Sequence, residues 1–372
     1  MSRNTLPLGR VLGIPLRLDY SWFLIFALIT WSLAVSYYPH EFPHWSGSLY
    51  WVIGAITAIM LFVSVLLHEL GHSVLAMRFK VPVRKITLFI FGGIAQLGSE
   101  PPSAVAEFWI AIAGPAVSLA LAFVFEILQH VLTGAEPLMA LAKYLALING
   151  MLFLFNLVPG FPLDGGRVLR AIVWGATKNL RRATFVAANV GRFIAFAFIF
   201  LGLWQALSGN LLNGIWIAFI GWFLDSAAAG QLHAQDAQDM MAGYKVAAAM
   251  NPQFVSIPSD MTLSHLVDEH ILGSSQRCFA VTRGDRLSGL LTLHGLREIP
   301  RDQWATTTAE EAMIPFERLK VVTPDTELWT ALEEMQRDGF NQLPVMIDDR
   351  VVGMLSREDT ISFLQRLREF AR

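Results

Sequence analysis

Residues 61–76, LFVSVLLHELGHSVLA, restrict this chain more than any other stretch. They lie in an apolar run from about 50 to 76, long enough to cross a bilayer, where a helix satisfies its own backbone. Yet the run carries His68, Glu69 and His72. Ionisable groups at that depth are costly and must face protein or a water-filled cavity. On a helix, residues four apart share a face, so His68 and His72 can direct ring nitrogens at one zinc ion. Glu69 then stands beside the metal, able to take a proton from water. The bland alternative is a buried histidine pair on an apolar helix. At about 1.5 Å per residue, His68 lies about 27 Å along the helix from Tyr50, near one side of a core about 30 Å thick.

The same pattern occurs earlier, at His40, Glu41 and His44. There Pro43 stands between the histidines and disfavours the continuous helix that the four-residue spacing needs. The surrounding YYPHEFPHWSGS reads as a loop, so this copy is not expected to hold metal.

Six apolar runs have the length of membrane helices, roughly 20–37, 50–76, 105–129, 141–159, 186–207 and 211–228. Hydrophobic residues make up 54 % of the chain and charged residues 16 %, too few charges for an ordinary soluble protein. A net charge of −2 without a basic patch leaves no nucleic-acid partner to expect. Arg3, Arg10 and Arg17 precede the first run, and Arg78, Lys80, Arg84 and Lys85 follow the second. Arg167, Arg170, Lys178, Arg181 and Arg182 follow the fourth, while the loops near 38–49, 130–140 and 208–211 contain neither Lys nor Arg. The positive-inside rule then puts both termini and the metal motif on the cytoplasmic side of a cell (inner) membrane. No cleavable signal is evident ahead of the first run. The single cysteine, Cys278, excludes an intrachain disulfide and suits a reducing compartment.

Residues 86–97, ITLFIFGGIAQL, are too short to span and read as a hairpin about Gly92 and Gly93. They form either a cytoplasmic hairpin without a role or an edge strand lining the site, with Ile94 as a pairing position. Gly114 and Pro115 can let the third run approach its neighbours closely. The fourth run ends in NLVPGFPLDGGR, where Pro159 and Pro162 break the helix and Asp164 precedes two glycines. Asp164 completes a three-ligand set with the two histidines, or else caps the helix that begins at Gly165.

HELGH within one membrane helix and NLVPGFPLDGG at the end of a later one resemble the site-2 protease family of intramembrane zinc metalloproteases. The resemblance covers about residues 10–230, including the opening GRVLGIPLRLDYSWF. It implies one zinc per chain on His68, His72 and Asp164, with Glu69 as catalytic base. It also implies that Asn156 positions substrate and that the 86–97 segment, with Gly92 and Gly93, pairs with an extended substrate. The substrate expected is a membrane protein with a transmembrane helix. The second proline varies in position within the family, so no role carries over to Pro162.

After the sixth run, SAAAGQLHAQDAQDMMAGYK reads as a partly helical linker. The remainder repeats at an offset of about 64 residues, with Met250, Asn251 and Pro252 recurring as Met313, Ile314 and Pro315. Gly289 and Thr292 likewise recur as Gly353 and Ser356. The unit reads strand, helix, strand, strand, helix, and it resembles a pair of cystathionine-β-synthase-type (CBS) domains. That resemblance implies an adenine-nucleotide site at Gly353, Ser356 and Asp359; in the first copy Gly295 stands where the aspartate would be. A pair that only dimerises, giving a homodimer, is the alternative.

The expected fold class is a polytopic α-helical membrane protein of about six transmembrane helices with a short β-hairpin, plus an α/β soluble CBS-domain pair. The expected division is a membrane-embedded zinc metalloprotease domain at 1–230, a linker at 231–245, and CBS domains at 246–309 and 310–372. The function this predicts is intramembrane peptide-bond hydrolysis regulated by the CBS pair. The competing functions are a metal transporter and an inactive membrane scaffold. A transporter needs several polar groups along a path, and the fifth and sixth runs offer few.

Overall fold

Six helices of 21 to 32 residues carry the apolar runs. They are α1 (Ser21–Glu41), α2 (Gly47–Arg78), α3 (Ala104–Val131), α4 (Glu136–Asn156), α6 (Leu180–Leu207) and α7 (Leu211–Met241), with the shorter α5 (Asp164–Thr177) between α4 and α6. The computed structural model describes residues 5–90, 92–271, 276–284, 286–348 and 350–370. Arg3 and Phe91, both used in the sequence reading, lie outside the described residues, as do 272–275 and Asp285 of the first repeat copy. The chain divides into two compact units, Met1–Gln235 and Asp236–Arg372.

In the first unit, side-chain caps fix where three helices begin. The hydroxyl of Ser46 accepts from the Leu49 N–H ahead of α2, and that of Ser103 accepts from Ala106 ahead of α3. Asn179 does the same for α6 through Arg182, so α6 starts six residues before the hydropathy of the sequence suggests. At 32 residues α2 is about 48 Å long, more than a core of about 30 Å requires. By contrast α5, at 14 residues or about 21 Å, is too short to cross.

Beside the helices lies a four-stranded sheet in the order β1 (Thr5–Val11), β2 (Ile14–Asp19), β3 (Val83–Phe89), β4 (Gly92–Leu97). The β1–β2 hairpin, absent from the sequence reading, turns at Leu12 and Gly13, both at positive φ. β2 and β3 run parallel, with Leu16 opposite Ile86, and β3 and β4 are antiparallel. Alternation puts Ile14, Leu16 and Ile86 on one buried face, against Leu66 and Leu70 of α2. β4 is left at the edge, next to the turn of α2 that carries Glu69.

The second unit begins inside α7, whose Met241 packs into that unit's core, so the expected linker is helical as far as Met241. Its first repeat copy contributes β5 (Ser256–Pro258), β6 (Cys278–Arg283) and β7 (Arg286–Thr292), and β8 (Ile314–Pro315) of the second copy completes that sheet. Its second contributes α8 (Leu328–Asp338), β9 (Gln342–Ile347), β10 (Arg350–Ser356) and α9 (Arg357–Phe370). The copies pair alike: β5 runs parallel to β6, and a single parallel bridge joins Val322 to Val345.

Candidate active site

The HELGH turn of α2 is continuous helix, so His68 and His72 stack on one face, only 4 % and 5 % exposed. Their Nε2 atoms are 3.2 Å apart, and Asp164 Oδ2 lies 3.1 Å from the first and 3.0 Å from the second. These three residues are the one cluster of potential metal ligands among the described residues. Ligands held tetrahedrally at about 2.0–2.1 Å from zinc stand roughly 3.3 Å apart, so the donor triangle fits zinc after a small outward shift.

The far sides of both rings are tied down. His72 Nδ1 is 2.7 Å from the carbonyl of Ile110, which can only accept; that nitrogen therefore carries the proton and Nε2 keeps its lone pair for a metal. His68 Nδ1 is 2.8 Å from Ser118 Oγ. Both partners sit on α3, which approaches this closely because residue 114 is glycine. A Cβ there would lie 2.2 Å from His72 Nε2 and 2.7 Å from His68 Nε2.

Asp164 is delivered by the loop that follows α4. The helix stops at Asn156, and the loop crosses to α6, where the Phe161 N–H donates to the Ala187 carbonyl at 3.2 Å. Two glycines permit this seat: a Cβ on Gly191 would meet the Phe161 carbonyl at 2.2 Å, and one on Gly166 the Gly160 carbonyl carbon at 2.4 Å. Asp164 is the first residue of α5, and Leu163, without a side-chain bond, holds the capping position. The capping alternative therefore does not account for Asp164. Its carboxylate sits in the favourable field of a helix N-terminus.

Glu69 faces β4. The Ala95 N–H donates to Glu69 Oε2 at 3.1 Å, and Gly93 packs so closely that a Cβ would meet Glu69 Cγ at 2.6 Å. In an antiparallel pair, alternate residues direct their backbone groups to opposite sides. Because Ala95 points its N–H at Glu69, Gly93 and Ala95 face the open edge, whereas Ile94, opposite Thr87, faces β3. Ile94 is thus not the edge-pairing position the sequence suggested. A cavity of about 510 Å³ connects these parts, bounded by the three candidate ligands, Glu69, Gly92, Gly93, Asn156 and the aromatic Trp216, Phe219 and Phe223 of α7. The Asn156 amide has no hydrogen-bond partner among the described residues.

The earlier H-E-x-x-H lies elsewhere in the unit. α1 ends at Glu41, and His44 Nε2 bonds Glu136 Oε2 at 2.8 Å. Two arginines counted as topogenic loop charges have other surroundings. Arg170 pairs with the buried Glu107, and Arg167 borders the cavity. Among the basic residues after the fourth span, that leaves Lys178, Arg181 and Arg182 to carry the orientation argument.

The family model for peptidase family M50 matches residues 56–142 and 133–201. A protein of Mycobacterium tuberculosis, named as zinc metalloprotease Rip3, is 36 % identical over 362 residues, covering 96 % of this chain and 92 % of Rip3. The chain belongs to peptidase family M50. A Synechocystis relative, named as zinc metalloprotease sll0528, is 32 % identical over 97 % of this chain and 96 % of its own length. A solved site-2 protease from Methanocaldococcus jannaschii is 31 % identical, with a TM-score of 0.43, covering 61 % of this chain and 95 % of its own. The CBS domain model matches residues 309–366. This M50 protein is thus an integral membrane metalloprotease with a CBS-like C-terminal unit.

In that unit the repeated glycines have a packing role. A Cβ on Gly289 would lie 2.4 Å from the Ile314 carbonyl, and one on Gly353 would lie 3.1 Å from the Asn251 carbonyl. Each glycine admits the Met-x-Pro segment of the other copy, and Gly353 does not border the cavity that Ser356 and Asp359 line. The Asp359 carboxylate accepts from both the N–H (3.0 Å) and the hydroxyl (2.5 Å) of Ser356.

Proposed function

We propose that this M50 protease hydrolyses a peptide bond in or near the transmembrane segment of a membrane-protein substrate. In this reading zinc is held by His68, His72 and Asp164, and Glu69 is the general base. The observation that carries it is the convergence of three ligand atoms 3.0–3.2 Å apart beside a carboxylate that also touches an edge strand. Zinc in that triangle would supply Lewis-acid chemistry, polarising the scissile carbonyl and acidifying the attacking water.

The rest is done by the chain. An extended substrate adds to β4 through the open backbone groups of Gly93 and the Ala95 carbonyl. Unwinding is needed, because a helical peptide bond is shielded and its backbone groups are already paired. Asn156 offers an unpartnered amide to the same segment. Glu69 takes a proton from the attacking water and passes it to the departing nitrogen. The Ala95 N–H holds one carboxylate oxygen in place, leaving the other for the proton. The test is cleavage of a membrane-helix substrate in bicelles by wild type and by Glu69→Gln. Cleavage should fall by roughly 10²–10⁴ while zinc is retained; equal turnover would remove the base from this mechanism.

The reading extends to a cytoplasmic C-terminal unit that binds an adenine nucleotide and biases the protease. A cavity of about 260 Å³ bordered by Ser356, Asp359, Gln276 and Arg277 supports it. That volume is below the roughly 300 Å³ of a small ligand pocket, which favours the nucleoside part over a whole triphosphate. Only the free oxygen of Asp359 remains for a ribose. Calorimetry of the full chain with AMP, ADP and ATP should show binding that Asp359→Ala weakens; equal binding by that variant would refute the site. A homodimer formed through the CBS pair belongs to the same proposal, and light scattering of the detergent-solubilised chain tests it.

A further inference from the structure

Arg167 is a cation at the proposed active site that the carboxylates of Asp164, Glu107 and Glu69 attract without direct contact. It lies one helical turn beyond Asp164 on α5, hence on the same face, and borders the same cavity as His68, Glu69 and His72. No hydrogen bond or ion pair is found for it among the described residues. Its neighbour Arg170 already answers the buried Glu107, so Arg167 is not needed to neutralise that carboxylate. A guanidinium is always charged, strongly donating and costly to leave unpaired near a membrane core. Such a group at a hydrolytic site invites an anion.

Charge balance indicates which anion. The two charges of a bound zinc would offset Asp164 and Glu69, leaving Arg167 as one surplus positive charge. Peptide hydrolysis breaks the C–N bond, forms a C–O bond and moves a water proton to the departing nitrogen. The acyl oxygen gains charge as water attacks and ends as a carboxylate. We propose that Arg167 binds that acyl oxygen, and that it recognises the newly formed C-terminal carboxylate of the acyl-side product. A planar fork of N–H donors suits a carboxylate in particular.

This inference rests on the proteolytic reading above, and its test needs no turnover. A labelled leucine-rich peptide ending in a free α-carboxylate, and the same peptide ending in an amide, are titrated into the zinc-loaded full chain in detergent. Wild type should prefer the carboxylate by roughly ten- to a hundredfold, the worth of hydrogen bonds to a charged group. Arg167→Gln should lose the preference while keeping its zinc, and Arg167→Lys should retain part of it. The inference is overturned by no preference in wild type, by a preference that survives in Arg167→Gln, or by a Lys variant no better than Gln. Loss of zinc in Arg167→Gln would also overturn it, by making the residue a support for Asp164. If wild type fails to cleave a membrane helix, the proteolytic reading fails first. If it cleaves and shows no carboxylate preference, only this inference fails.

Discussion

His40, Glu41 and His44 match His68, Glu69 and His72 in type and spacing, yet the two copies have different fates. In the first, the intervening Phe42 and Pro43 end the helix at Glu41 and separate the rings. Two of its polar groups, Glu41 and His44, are held by residues outside the motif. His44 and Trp45 both bond Glu136 Oε2, at 2.8 and 2.9 Å, and Glu41 accepts from Lys143 at 2.6 Å. In the second copy the intervening Leu70 and Gly71 keep the helix intact. Gly71 also admits α3, since a Cβ there would lie 3.0 Å from the Ala113 carbonyl. That close approach brings Ile110 and Ser118 to the far sides of the rings and Gly114 to the near side. A metal motif therefore depends as much on its two unspecified positions, and on the helix they admit, as on its histidines.

The contrast can be broken most severely at its histidines. His72→Ala should abolish cleavage of a membrane-helix substrate, whereas His40→Ala with His44→Ala should leave it unchanged. Comparable losses in both would dissolve the distinction. A smaller but sharper effect is expected at the neighbouring helix. Gly114→Ala puts a methyl group within 2.2 Å of His72 Nε2, and zinc affinity should drop by roughly 10- to 100-fold, as when an outer-shell partner is removed. Competition with a chelator measures this, and unchanged affinity would mean that α3 yields freely. The mildest effect belongs to the strand. Ala95→Pro removes the N–H that holds Glu69 but spares the ladder to β3, so kcat should fall about tenfold, the lower end for the loss of a hydrogen bond to a carboxylate. Ile94→Pro instead strikes the ladder and should lower the thermal midpoint. Equal kcat for Ala95→Pro and wild type would leave Glu69 oriented by something else.

Much of this was legible in the sequence, because its strongest signals are local. The apolar runs identify the six helices, and Pro159 and Pro162 announce the loop before Asp164. What could not be read depends on distant pairing. Nothing near Leu16 indicates that it will lie beside Ile86 in a parallel ladder, although the alternating IPLRLD of β2 is itself a strand signal that the reading of the sequence passed over. Ser118 and the Ile110 carbonyl are ordinary features of an apolar helix until α2 packs on them. Arg167 and Arg170 look like loop charges, since only the fold shows the buried Glu107 and the cavity they meet. Gly353, read as part of a nucleotide site, is explained by the close packing of Met250 and Asn251.

The central proposal is that residues far apart in sequence share one zinc, and the zinc content of purified protein tests it most directly. Wild type and the His40→Ala, His44→Ala double variant should each carry one zinc per chain. Asp164→Ala should lose most of its metal although it lies outside the motif and beyond two further helices in sequence. Full zinc occupancy in Asp164→Ala, or loss of zinc in the double variant, would contradict the site.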